Sequence, residues 1–294
     1  MAGGFYSRAE IKAIVDKLRS PSVVGGAGKV VYVDGIAGAD PNPPDDPAKP
    51  LKTIAYALGL CRNDKDDYII VLDCWQQDTF PIAVDKSRVH IIGLDVGNGK
   101  YPRMAPTGDT AIFVVGEKGY FEIAGFSLGA GAAHGCIEVK TGVTEARGKL
   151  HSLWLGWTES GQDGILVPDN TDAPELEIAG CFFGKLLTRD GVRYAGNSTR
   201  GVARNNVFRR VGGKGINMLK NGSDIGAILD NVFSIPDAAA GEAISAAAGA
   251  GAALIAGNRA GNLKTDPANN PYVDVTPSND WVANHAGNTL TFPA

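Results

Sequence analysis

The chain has 294 residues, 44% hydrophobic, 20% charged and 7% aromatic, a balance that supports a large core and excludes global disorder. Its formal charge is −4, from 28 basic and 32 acidic residues, so no electrostatic footprint for nucleic acid is expected, and no apolar run approaches the roughly 20 residues that cross a bilayer. Glycine, at 39 residues, is about twice its usual share but lacks a G-X-Y period, which excludes collagen and points to many tight corners.

The N-terminus has no signal-peptide order of basic, apolar and small residues, so synthesis and assembly in the cytoplasm are expected. Ser7-Arg8-Ala9-Glu10 has the pattern of a capping box, and Ile11, Ile14, Val15 and Leu18 follow at i, i+3, i+4 and i+7. This predicts a short amphipathic helix within residues 1–23, set off by the glycine hinge Gly25-Gly26-Ala27-Gly28. An isolated helix of that length is marginal in water, so its apolar face is expected to pack on its own solenoid or to dock on a partner. Residues 24–67 read as a loop and a capping helix. Asp34, Asp40, Asn42, Asp45 and Asp46 lack the order of a calcium loop and are expected to shape a proline-rich turn. Leu51, Ile54, Ala55, Leu58 and Cys61 form the apolar stripe of the helix.

From residue 68 to 261 two interleaved ladders repeat. Gly, Ser, Asn or Asp recurs behind short β-type segments at 93, 125, 152, 180, 205, 230 and 257, in steps of 32, 27, 28, 25, 25 and 27. Apolar residues recur at 82, 112, 137, 165, 192, 216 and 244, in steps of 30, 25, 28, 27, 24 and 28. Units of this length cannot bury their own apolar face and must stack on the next copy. The prediction is an all-β solenoid with coils of about 27 residues, in preference to a β-sandwich. The marker residues tolerate left-handed backbone at coil corners, and Asn205-Asn206 and Asp230-Asn231 suggest a short polar ladder. The alanine-glycine run 238–254 predicts a thin last coil or a symmetry contact. Residues 262–294 are expected to be an irregular tail or closing segment. Cys61, Cys74, Cys136 and Cys181 show no CxxC spacing and read as buried free thiols.

The run Val31-Tyr32-Val33-Asp34-Gly35, the Gly, Asp and Pro rich loop after it, and Pro50-Leu51-Lys52-Thr53-Ile54-Ala55-Tyr56-Ala57-Leu58 resemble the opening of right-handed parallel β-helix proteins of the pectate-lyase-like superfamily, in the form common among bacteriophage virion proteins and tailspikes. The resemblance spans roughly residues 29 to 260. It implies a right-handed parallel β-helix, and a homotrimer by analogy, but it does not fix function, because the superfamily hosts lyases, hydrolases, adhesins and structural virion proteins.

Polysaccharide hydrolysis on such a scaffold needs paired carboxylates roughly 5 to 10 Å apart. Asp163, Asp169, Asp172 and Asp190, with Arg189 or Arg193, are the weak catalytic candidates. Asn170-Thr171-Asp172 resembles the first element of the polygalacturonase signature, but the remaining elements are missing. His90, His134, His151 and His285 share no period, so neither a triad nor a metal set is expected, and no cofactor is implied. Trp154 and Trp157 are the aromatic candidates for glycan binding. The leading expectation is therefore a non-enzymatic structural protein of a phage-like virion, decorating or cementing a capsid shell or belonging to the tail. The alternatives are a polysaccharide-cleaving lyase or hydrolase and a glycan-binding adhesin.

Overall fold

A computed structural model describes residues 28–74, 78–94, 101–117, 119–157, 159–219, 225–234, 242–247, 253–261, 271–275, 279–286 and 289–290. The expected amphipathic helix with Ile11, Ile14, Val15 and Leu18, and the centre of the alanine-glycine run, lie outside them. Among the described residues three sheets of 10, 9 and 8 strands extend from Val30 to Leu290. Every pairing is parallel except the last, Thr289–Leu290 against His285–Ala286. In a typical coil the chain passes from the first sheet, as in Tyr120–Ala124, to a two- or three-residue strand of the second, as in Ser127–Leu128, then to the third, as in Gly135–Val139, and returns to the first at Arg147–His151. The protein is a parallel β-helix.

The apolar periodicity has its physical cause in the register. In the third sheet Ile82, Phe113, Ile137, Ile165, Val192, Ile216, Ile244 and Tyr272 pair in sequence and are buried. The expected position 112 is off by one: Ile112 is buried too, but Phe113 takes the rung. In the first sheet the inward column is Val31, Ile69, Ile91, Ile123, Leu150, Ile178, Ala203, Ile228 and Ile255. The second sheet contributes Met104, Leu128, Leu155, Phe183, Phe208, Phe233 and Ala260. Within it Phe183, Phe208 and Phe233 stack with centroids 4.4 and 4.7 Å apart and rings 5° and 10° from parallel, the spacing of adjacent strands. The four cysteines are buried free thiols, and burial pushes the Cys61, Cys136 and Cys181 thiols up to about 12.

Six of the seven expected corner markers are left-handed residues between the first and second sheets; Gly93 instead ends strand Val89–Gly93 without a positive φ, and a Cβ there would lie 2.3 Å from the Gly125 carbonyl oxygen. Gly125, Ser152, Gly180, Asn205, Asp230 and Gly257 have φ of 77°, 54°, 60°, 55°, 54° and 68°, and Ala283 continues the series at 51°. At Gly125 a Cβ would also lie 2.1 Å from the Gly93 carbonyl oxygen, so no other residue fits there. The residue after the corner points inward. From Asn206 to Asn231, Asn258 and Asn284 this position carries a stack of buried amides, each linked to the next at 2.9–3.0 Å.

Two boundaries differ from the sequence reading. Strand Val30–Asp34 already pairs in parallel with Asp67–Asp73, so the solenoid begins ahead of the capping helix rather than at residue 68. The helix is Ile54–Leu60, with Thr53 as its N-cap. Leu51 precedes it in an extended bridge to Val33, so the helical stripe starts at Ile54. Ile54, Ala57, Leu58 and Cys61 are buried while Ala55 is exposed. At the other end Tyr272–Asp274, Asp280–Val282 and His285–Ala286 extend all three sheets. Residues 271–275 and 279–286 thus supply one more set of rungs instead of an irregular tail, and antiparallel Thr289–Leu290 closes only the second sheet. The rungs were hidden because Asp274 and the Thr-Pro-Ser-Asn-Asp run 276–280 break the apolar residues there into the short pieces Tyr272-Val273, Val275 and Trp281-Val282.

Candidate functional site

The N-terminal acidic loop is structural. Asp34 Oδ1 accepts hydrogen bonds from the Ile36 and Ala37 amides at 2.9 and 2.8 Å. Asp40 accepts from the Lys52 amide and the Thr53 hydroxyl, both at 2.9 Å. Asp78 takes the Ile54 and Ala55 amides at the helix N-terminus, at 3.1 and 2.9 Å, and burial pushes its carboxyl up. Each carboxylate satisfies backbone donors that a turn or helix start leaves open.

The expected carboxylate edge divides into two places. Asp163 opens strand Asp163–Val167, whereas Asp169 and Asp172 lie in the turn that leaves it, so about 13 Å of strand separates the two groups. Asp163 and Asp190 do meet on adjacent rungs, but at 0% and 2% exposure neither presents a surface to substrate. Asp163 accepts from Arg189 Nε at 2.9 Å and from the Asp190 amide at 3.0 Å, and pairs with Arg189 Nη2 as well. Asp190 accepts from Arg193 Nη1 and Asn217 Nδ2, each at 2.8 Å, and from the Lys214 amide at 2.9 Å. The Asp163–Arg189 pair joins neighbouring coils, and Asp190 reaches the next coil through Asn217 and the Lys214 amide, while its pair with Arg193 lies within one coil. Asp172 lines a polar pocket of about 280 Å³ with Asp169, Thr144, Thr171 and Asn197. Its Oδ1 is buried without a hydrogen-bond partner.

A cluster missed by sequence reasoning lies on the outer face of the first sheet. Glu122 Oε2 is 2.6 Å from His90 Nδ1, and Oε1 is 2.7 Å from His151 Nε2. Burial raises the carboxyl, but the hydrogen bonds to the two histidines outweigh it and hold Glu122 down at about 2. An ionised carboxylate only accepts, so His90 carries its proton on Nδ1 and His151 on Nε2. Tyr68 stacks on the His90 ring at 4.3 Å and 12°. His90 Nε2, 3.5 Å from Asp66 Oδ1, has no hydrogen-bond partner. The signal was available in the markers: three residues before 93 and 125 stand His90 and Glu122, and one before 152 stands His151. Among the described residues no group of His, Cys, Asp or Glu has the arrangement to hold a metal ion.

The aromatic candidates form a third cluster, on the outer face of the second sheet. Trp154 lies between Tyr101 at 6.0 Å and 22° and Phe182 at 4.7 Å and 20°. Trp157 meets Phe182 edge-on at 5.1 Å and 83°, and Arg209 Cζ sits 5.7 Å over the Trp157 ring. The rings therefore cover one another's faces.

Compared with known proteins, the chain matches no family model, no curated protein and no solved structure. What fold and site define together is a class: a parallel β-helix whose carboxylates on adjacent rungs are bound into ion pairs.

Proposed function

We propose that the chain is a non-enzymatic structural protein of a phage-like particle, a β-helix that decorates or cements a capsid or belongs to the tail, working as a homotrimer within the virion. The resemblance of the Val31–Gly35 and Pro50–Leu58 segments supplies the particle. The observation that carries the non-enzymatic part is the pairing of Asp163 with Arg189 and of Asp190 with Arg193. A general acid and base need carboxylates open to a glycosidic oxygen and to water, and these two are buried, Asp163 paired with an arginine of the next coil and Asp190 with one of its own. Breaking one partner of such a pair leaves an uncompensated charge, which gives the residues a structural reason to persist.

The reading is tested by mass spectrometry of purified particles from the host that carries the gene, where stoichiometric copies are expected and absence from particles refutes it. The depolymerase alternative makes a separate demand. Capsular or cell-wall glycans incubated with the protein would release reducing ends or unsaturated sugars, and Asp172→Ala or Asp190→Ala would abolish the release.

A further inference from the structure

The outward column of the second sheet is unlike the rest of the surface. Trp154, Phe182, Val207, Val232 and Arg259 pair rung by rung, giving four successive apolar rungs that end on a cation. Val207 and Val232 are 38% and 45% exposed, and four rungs spaced by about 4.8 Å make a ridge about 14 Å long. Arg209, over the Trp157 ring, and Arg259 are exposed and make no ion pair among the described residues. By contrast Arg103, at the start of the same column, is neutralised by Glu159. The described acidic residue nearest this column in sequence is Asp230, whose carboxylate sits beside the Gly257 corner.

We propose that this ridge is a docking surface for an acidic, apolar-bearing segment of a partner protein. Charge complementarity selects the sign: Arg209, two residues along from Val207, and Arg259, on the rung beyond Val232, form no ion pair among the described residues and offer bidentate hydrogen bonds to Asp or Glu side chains. The exposed valines and ring edges take aliphatic or aromatic side chains, and an extended segment of four or five residues spans the ridge. A second copy of this chain is disfavoured on the same face, since it would set Arg209 and Arg259 against like charges. Sugars and nucleobases bind such surfaces by stacking on open ring faces. Here both faces of Trp154 are taken by Tyr101 and Phe182, and Arg209 covers one face of Trp157.

The test is selection of a random 12-residue peptide library against the full chain, followed by binding measurements on the selected peptides. Enrichment of sequences combining Asp or Glu with Leu, Ile or Phe is expected, with affinity reduced about tenfold or more for the double variant Arg209→Glu, Arg259→Glu. The charge-matched variant Lys49→Glu, Lys52→Glu, in the exposed N-terminal loop, is expected to bind as the parent does. Val232→Asn should weaken binding without adding charge, and melting curves should show all variants folded. Failure to enrich, a basic consensus, equal binding by the Arg209, Arg259 variant, or displacement of the peptides by a uronic-acid oligosaccharide that binds more tightly would each overturn the proposal.

Discussion

Replacing Asn231 by alanine probes the corner ladder where it is most fully bonded. The Asn231 Oδ1 accepts from the Asn206 amide and from Asn206 Nδ2, both at 3.0 Å. Its Nδ2 donates to the Ala203 carbonyl at 3.0 Å and to Asn258 Oδ1 at 2.9 Å. Alanine removes four hydrogen bonds and strands the buried Asn206 N–H. An orphaned buried donor costs about 1–3 kcal/mol and each of the three other lost bonds about 1, so the variant should lose about 4–6 kcal/mol and melt on the order of 10 °C lower. Cys181 stands one rung above Asn206, and its sulfur already faces the Leu150 carbonyl at 3.6 Å and the Leu153 amide. An asparagine there can donate to Leu150 and accept from Leu153 as its neighbours do, so Cys181→Asn is expected to be neutral or stabilising. Circular-dichroism melts of the two variants decide it. An Asn231→Ala protein as stable as the parent would refute the view that the amide stack holds the corners together.

Ile165 is buried between Ile137 and Val192, so Ile165→Asp should cost several kcal/mol. Asn170→Asp, at an exposed left-handed turn position with φ 57°, should leave the melt unchanged, and equal tolerance of both would undo the assignment of that column. Glu122 is held at about 2 against an ordinary 4.5, so its contribution is fully present above pH 4.5 and is lost as pH falls towards 2. Glu122→Gln should therefore destabilise by up to roughly 3 kcal/mol at neutral pH, with the gap closing in melts taken down to pH 2; a gap independent of pH would contradict the pairing. Light scattering should show a trimer that persists when residues 1–23 are removed, while binding to the particle weakens. A monomeric full-length chain sinks the trimer, and a truncated chain that melts much earlier would place the helix in the protein's own core.

The third-sheet column was readable because each of its strands carries a β-branched or other apolar residue at the same place in the coil. The corners were readable because only a few residue types tolerate positive φ. The second sheet was not, since two-residue strands such as Trp154–Leu155 and Phe182–Phe183 are too short to show alternation. Its outward column emerges only once neighbouring coils are in register. The same limit hid the Glu122 cluster, whose members are 32 and 29 residues apart and meet because His90 pairs directly with Glu122 while His151 reaches back from the next rung. Asp163 and Asp190 meet on adjacent rungs, but spacing alone does not reveal burial, and buried with an arginine each they are structural groups and not an open pair. Asp169 and Asp172, a few residues further on, fall past the end of the strand and so form no part of that cluster.

The most direct test of the virion reading is a cryo-EM map of purified particles at a resolution that separates strands. The expected result is a three-sheet parallel β-helix, seated as trimers on the shell or the tail, with the Asp163–Arg189 and Asp190–Arg193 pairs inside the wall. A complete map in which every density is assigned to other chains, with this protein remaining in the soluble fraction, would contradict it.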